Sequence, residues 1–284
     1  MSVAAATMAL GASPAVVGEV QQYRVMNGDT LALVAARFGL EPAVLARDNG
    51  LAANARLKPG DTLSIDNRHI VPPGMPDGIV INLPQRRLFL FKGGSLKDSY
   101  PVAVGSGGWR TPVGEFTVKT LEVDPSWEVP KSIQAEMASQ GKRVLTRVAP
   151  GPNNPLGTRW IGLTPSIGIH GTNAPSSIFK YSTHGCIRMS VEDVEHLFDQ
   201  INKGMPVSIM YEPLLVAQQG REVFVEVHRD PYGRGGVSRQ ALQQALAGLG
   251  VADLASRPEV DRVLKLREGR AVSLTALIST TAQR

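Results

Sequence analysis

The chain has 284 residues, 43% hydrophobic and 19% charged, a balance that suits folded domains and excludes bulk disorder. At roughly 150 residues per domain the length allows two domains with room for a small third. The 30 basic and 25 acidic residues leave a formal charge of +5. No Lys/Arg run is present and only 5% of residues are aromatic, which excludes nucleic acid as a partner. The charge supports no more than a mild attraction to an acidic polymer such as a cell wall. Gly (29) and Pro (20) exceed the usual combined share of about 12%, so turns and short strands are expected. The single cysteine, Cys186, excludes an intramolecular disulfide, a CxxC metal knuckle and a haem attachment site. Such a residue is either an inert core filler or a nucleophile, and its neighbours decide which.

The first eighteen residues, MSVAAATMALGASPAVVG, carry no charged side chain. They resemble the apolar part and cleavage region of a secretory signal, with Ala15 the last residue of a leader, although the basic n-region is missing. The alternative is a tail of small residues. Residues 1–20 are set apart on this ground. Past them, no apolar run reaches the ~18 residues that a membrane-spanning helix needs.

Residues 21–66 read as one β-α-α-β unit. Tyr23-Arg24-Val25 is a short strand. Asp29 or Thr30 caps a helix with apolar Leu31, Val34, Ala35 and Phe38, and Gly39 ends it. Pro42 opens a second helix, Gly50 closes it, and Thr62–Ile65 returns as a strand after a Lys-Pro-Gly-Asp turn. Residues 67–78, with Val71-Pro72-Pro73-Gly74-Met75-Pro76, form a semi-rigid linker. Residues 79–213 are mainly β, with runs at Ile79–Leu83, Arg87–Phe91, Tyr100–Val104, Phe116–Lys119, Ile167–His170 and Val207–Tyr211. One helix interrupts them: Ser190 caps it, Val191, Val194, Leu197, Phe198 and Ile201 form its stripe, and Gly204 stops it. Residues 214–284 carry a strand at Arg221–Arg229 and two amphipathic helices, Ser238–Leu249 and Pro258–Arg267, as a small α/β tail. That tail packs against the preceding domain or meets a partner.

Chemistry concentrates in Ile169-His170-Gly171-Thr172 and Ser182-Thr183-His184-Gly185-Cys186-Ile187-Arg188. A free thiol near pKa 8.5 is only a few per cent thiolate at neutral pH, and a neighbouring imidazole can take its proton. His170, ending a strand, is the better base. His184, two residues before Cys186, shares its face if that segment is extended. Gly185 frees the local torsions, and the amides of Gly185 and Cys186 are candidate oxyanion donors. Arg188 offers fixed positive charge for a thiolate or a substrate carboxylate. Together these are the parts of a cysteine acyl-transferase. Zinc held by His170, His184 and Cys186 is the competing reading, but no HExxH or second cysteine pair supports it. His69, His196 and His228 read as structural, Gly105-Ser106-Gly107-Gly108 as a turn, and Trp109, Trp127, Trp160 and Tyr181 as groove or core.

Two resemblances follow from these motifs. Tyr23-Arg24-Val25 through Asn27-Gly28-Asp29-Thr30-Leu31, then Phe38-Gly39, Asn49-Gly50-Leu51 and Lys58-Pro59-Gly60-Asp61, resemble a LysM module, although the usual Asn-Pro-x-Asp point reads Asp48-Asn49-Gly50-Leu51. Such modules bind the N-acetylglucosamine-containing glycan of peptidoglycan or chitin. The His170 and Thr183–Arg188 motifs resemble the signature H-x(14–17)-[ST]-H-G-C-x-[RN] of L,D-transpeptidases, the YkuD domain family. Thr111-Pro112-Val113-Gly114-Glu115-Phe116 and Asn154-Pro155-Leu156-Gly157 resemble two further family segments, and the overall arrangement is similar to the ErfK/YbiS/YcfS/YnhG branch.

The resemblance implies a β-sandwich-like catalytic domain in a mainly β (α+β overall) chain. It also implies Cys186 as nucleophile, His170 as base oriented by the Gly171 carbonyl, and His184, Gly185 and Arg188 in support. Thr111, Arg159, Thr172, Ser182 and Thr183 are candidate substrate-binding groups. The implied reaction is attack on the third residue of a tetrapeptide stem, release of D-alanine, and transfer of the thioester to another stem or to a lysine of an outer-membrane lipoprotein. No metal or organic cofactor is implied, and the implied location is the periplasm.

Overall fold

The computed structural model describes residues 15–275, so most of the expected leader lies outside the described residues. Val16–Val17 pairs antiparallel with His69–Ile70, and the next strand starts at Val20.

The strands Val20–Arg24 and Thr62–Asp66 pair antiparallel around helices α1 (Leu31–Phe38) and α2 (Pro42–Asp48). Thr30, not Asp29, caps α1 by accepting the Leu33 N–H at 3.2 Å, and α1 ends on Gly39 in the left-handed region. Leu31, Val34, Ala35, Leu45, Leu63 and Ile65 form a separate small core. Asn49, where the sequence departs from the usual module pattern, ties α2 to the second strand. Its Nδ2 donates to the Leu45 carbonyl at 2.8 Å, and its Oδ1 accepts the Ser64 N–H at 2.7 Å.

The central unit has two sheets. One runs in the order Ser95–Pro101, Arg87–Lys92, Gly78–Asn82, Pro206–Met210, Gly114–Thr117, and only the Gly78–Asn82 and Pro206–Met210 pair is parallel. The other runs Thr120–Val123, Arg159–Gly162, Gly168–His170, Ile187–Arg188, its last pair parallel. Both feed one core: Ile79, Ile81, Leu88 and Leu90 come from the first, Ile161, Ile169 and Ile187 from the second. Helix α3 (Lys131–Ser139) sits on the segment between Val123 and Arg159 with none of its residues buried. Lacking an apolar stripe, it gave no signal in the sequence. Helix α4 (Val191–Phe198) starts as expected, with Ser190 accepting the Asp193 N–H at 3.0 Å. It ends at Phe198, before Gly204, while Ile201 beyond it remains buried.

Within the expected linker, His69 and Ile70 form a short buried strand, and the Ile70 N–H donates to Glu226. The C-terminal unit is a three-stranded sheet of Leu214–Gln219, Glu222–Val227 and Val272–Ser273. Against it pack α5 (Arg239–Ala247) and α6 (Pro258–Leu266). Buried polar groups weld the three units together. Glu226, 1% exposed, accepts from Gln85 at 2.9 Å and contacts His228 Nε2 at 2.7 Å. Arg87, also buried, donates to the Phe38 carbonyl of α1 at 3.0 Å, and Arg86 pairs with Glu41 at 2.7 Å. Arg270 reaches Asp48 of α2 from the C-terminal side.

Candidate active site

Three neighbouring strands lay out the site. Trp160 stands opposite His170, and His170 opposite Arg188. Their neighbours Ile161, Ile169 and Ile187 enter the core, so side-chain alternation puts Trp160, His170 and Arg188 on the other face. Cys186 immediately precedes Ile187, in the bend of residues 184–186, and its thiol lies beside the Gly168 backbone. In the parallel register it falls level with Gly168, one diagonal step from His170. The Arg188 charge acts on both the His170 ring and the Cys186 thiol, so both groups border one guanidinium.

The two groups are prepared differently. His170, 5% exposed, stacks on Trp160 with ring centroids 5.9 Å apart at 23°. Its Nδ1 lies 2.7 Å from the Gly171 carbonyl oxygen, which can only accept. Nδ1 therefore carries the proton and Nε2 the lone pair. Burial, and then the Arg188 charge, push its pKa down to about 4. Cys186 is half-buried, with Sγ 3.6 Å from the Ser166 carbonyl. Burial raises its thiol pKa, against the pull of the Gly168 backbone and of Arg188. At neutral pH the pair rests as a thiol beside a neutral imidazole. Arg188 is fixed by two backbone hydrogen bonds to Ala103, each 2.8 Å, and its buried Nε has no hydrogen-bond partner.

The loop before Cys186 departs from the extended reading. Residues 184–186 form a bend, with Gly185 at φ +109°, a conformation that L side chains rarely adopt. The i, i+2 argument therefore fails for His184. Its ring turns to the surface, packs on Trp109 at 5.1 Å, and places Nε2 2.6 Å from Glu136 of α3. The Gly185 N–H is already engaged by Thr183 Oγ1 at 3.2 Å. Of the two expected oxyanion amides, that of Gly185 is therefore already bonded within the chain. Thr183 is 3% exposed, and its hydroxyl also donates to the Cys186 carbonyl at 2.6 Å. It braces the bend and does not face a substrate.

Other expected substrate groups are corrected in the same way. Thr111 is buried, and its Oγ1 accepts the Gly105 N–H at 2.9 Å. Thr172 is buried, with Oγ1 accepting from Ala174 N–H at 2.9 Å. Arg159 alternates to the face opposite Trp160, lies over the Phe198 ring and approaches Glu195 at 3.7 Å. Ser182 alone of this set is exposed. Gly171 is closely packed: a Cβ would sit 3.2 Å from the Leu156 carbonyl, so its neighbours would have to give by a few tenths of an ångström. Glu136 and Ser166 were missed because no local pattern links them to the motif.

Comparison with known proteins identifies two domains in the chain. A LysM domain model matches residues 23–66, and the model of the L,D-transpeptidase catalytic domain, YkuD, matches residues 76–209. The chain is thus a LysM-bearing protein with a YkuD catalytic domain. It is 31% identical to YcfS of Escherichia coli over 221 residues, covering 75% of this chain and 69% of that one. It is 32% identical to YkuD of Bacillus subtilis over 194 residues (66% and 97%), and 28% identical to YbiS of E. coli over 270 residues (91% and 88%). All three relatives are named as L,D-transpeptidases. The chain belongs to the L,D-transpeptidase family.

Proposed function

We propose that the protein forms a thioester between Cys186 and a peptidoglycan tetrapeptide stem and passes that acyl group to an amine. The observation that carries this reading is the neutral, buried His170, its Nδ1 fixed on Gly171, with the Arg188 charge acting on both its ring and the Cys186 thiol. As Sγ attacks the carbonyl of the third stem residue, His170 Nε2 takes the thiol proton. The tetrahedral oxyanion meets the Cys186 N–H, and the imidazolium returns its proton to the departing D-alanine amine. The acceptor amine then attacks the thioester and loses its proton through His170, restoring the thiol. The Arg188 guanidinium, beside the sulfur, favours the negative charge that develops there. Because His184 Nε2 is engaged by Glu136, its contribution is to hold α3 at the rim, not to support the oxyanion.

The LysM module, residues 23–66, would seat the enzyme on the glycan, which places it in the cell envelope, in the periplasm. An amine of a second stem or a lysine of an outer-membrane lipoprotein would serve as acceptor. Reaction with defined tetrapeptide donors and candidate amines, followed by intact-protein and product mass spectrometry, tests the reading. An acyl adduct on Cys186, release of D-alanine and absence of both in Cys186→Ser are expected. A wild-type chain that forms no adduct, or a Cys186→Ser chain that behaves like it, refutes the proposal.

A further inference from the structure

One side chain of the C-terminal part of the chain lies outside that unit's own core. Tyr232, 1% exposed, is packed in the core of the catalytic unit. Its ring stacks on Tyr211 at 5.4 Å and meets Tyr181 edge-on at 6.1 Å. Its hydroxyl donates to the Gly105 carbonyl at 2.7 Å and accepts the Thr111 N–H at 3.2 Å. Gly105 and Thr111 are the two ends of the loop that carries Trp109 and Arg110. They press so closely together that a Cβ on Gly105 would collide with the Trp109 carbonyl. The segment presenting Tyr232 is itself held: Asp230 accepts from Tyr211, from the Arg234 N–H at 3.0 Å and from the Gly235 and Gly236 N–H groups at 2.9 Å each.

From that loop a run of hydrogen bonds leads to the sulfur. Val104–Gly105 pairs in parallel with Tyr181–Thr183, placing Thr183 opposite Gly105. The Ser106 N–H donates to the Thr183 carbonyl at 3.0 Å, and the Thr183 hydroxyl grips both Gly185 and Cys186. On the other flank, the Arg110 carbonyl lies 3.6 Å from where a Gly185 Cβ would stand. The bend at residues 184–186 has no regular secondary structure of its own. Its shape is borrowed from this frame, and the Tyr232 hydroxyl closes the frame.

We propose that Tyr232 is a positioning residue for the acyl transfer, supplied by the C-terminal unit to fix the 105–111 loop and, through Thr183, the Cys186 bend. The inference rests on the transpeptidase reading of Cys186. A displacement of a reacting atom by about 1 Å can cost on the order of 10²-fold in rate, so small slack in this frame is enough to register.

Tyr232→Phe keeps the ring and both aromatic contacts and removes only the hydroxyl. Tyr100→Phe is the comparison: it deletes another hydroxyl of the same core, one bonded to His196 at 2.9 Å. In the full chain, acylation by a carbapenem and by a tetrapeptide donor would be timed, and Cys186 alkylation by iodoacetamide followed against pH. For Tyr232→Phe, kcat should fall about tenfold or more with KM for the donor nearly unchanged, and the alkylation profile should shift along the pH axis. Tyr100→Phe should match wild type in each. Wild-type behaviour of Tyr232→Phe, or an equal loss in Tyr100→Phe, overturns the proposal. If wild type alkylates at Cys186 but never acylates, the transpeptidase reading fails by itself. The alkylation profile then decides on Tyr232 alone: a shift supports the frame, and none refutes it.

Discussion

Replacing Thr183 by valine keeps the branched shape of the side chain and deletes the hydroxyl that accepts from Gly185 N–H at 3.2 Å and donates to the Cys186 carbonyl at 2.6 Å. Both backbone groups would then lack partners in a buried or half-buried loop, at about 1–3 kcal/mol for each such group. Discounting the half-exposed Cys186 carbonyl, Thr183→Val should destabilise the chain by about 2–4 kcal/mol, a large part of a typical 5–15 kcal/mol total. Thr183→Ser retains the hydroxyl and loses one methyl, about 0.8 kcal/mol. The serine-or-threonine choice at this point of the family signature has the same cause, since either hydroxyl can brace the bend. Urea unfolding of both variants, with the second-order rate of Cys186 alkylation as a local probe, measures the difference. A valine variant within about 0.5 kcal/mol of wild type, or a serine variant as unstable as the valine one, would refute the reasoning.

Four further outcomes follow from the geometry. His170→Gln should abolish acylation, and in wild type the acid limb of the acylation rate should fall near pH 4, where His170 takes a proton, and not near 6.5; a stopped pH–rate series settles which. Gly185→Ala forces a side chain into φ +109° with a Cβ 3.1 Å from Ile167, so a loss of about 1–3 kcal/mol and a marked drop in adduct formation are expected by urea melt and mass spectrometry. Burial lowers the pKa of His69 to about 3 and that of His170 to about 4, whereas the unfolded chain protonates both near 6.5. The unfolded state thus binds more protons below pH 6.5, and stability should hold above that value and fall as pH drops toward 4. The slope is at most about 1.4 kcal/mol per pH unit for each histidine, and His69→Gln should flatten it in denaturation curves at pH 5 and 7. Arg87→Met would leave the Phe38 and Gly39 carbonyls without their donor; limited proteolysis should then cut between α1 and the catalytic unit faster than in wild type.

Where the signal was local, the sequence was enough. Thr30 and Ser190 cap their helices because a short hydroxyl ahead of an apolar stripe satisfies an otherwise orphaned N–H. His170 and Cys186 were legible as a motif, and parallel pairing sets His170 beside Arg188, on the short strand that follows Cys186. His184 was misplaced because alternation was applied across Gly185, whose positive φ turns the chain. Thr111, Thr172 and Thr183 looked like pocket hydroxyls, but each binds backbone within a few residues of itself, as Ser and Thr commonly do in bends. The remaining features depend on partners far along the chain. Glu136 meets His184 across 48 residues, Tyr232 meets Gly105 across 127, and Glu226 meets Ile70 across 156. No periodicity encodes such pairs, so the short buried strand at His69–Ile70 and the tail's reach to the 105–111 loop emerge only from the folded chain.

The buried grip of Arg87 on the end of α1 bears on how the enzyme would work along a polymer. A module on a slack tether would let the thiol sweep a volume and sample many neighbours, its local concentration diluted by linker length. On the proposed function, the module that holds the sugar and the unit that holds the thiol are joined by Arg87 and by the Arg86–Glu41 pair. A strand docked on the first would present its pendant peptides to the second at a set offset, so that the spacing of attachment points becomes a ruler dictated by the protein's own frame.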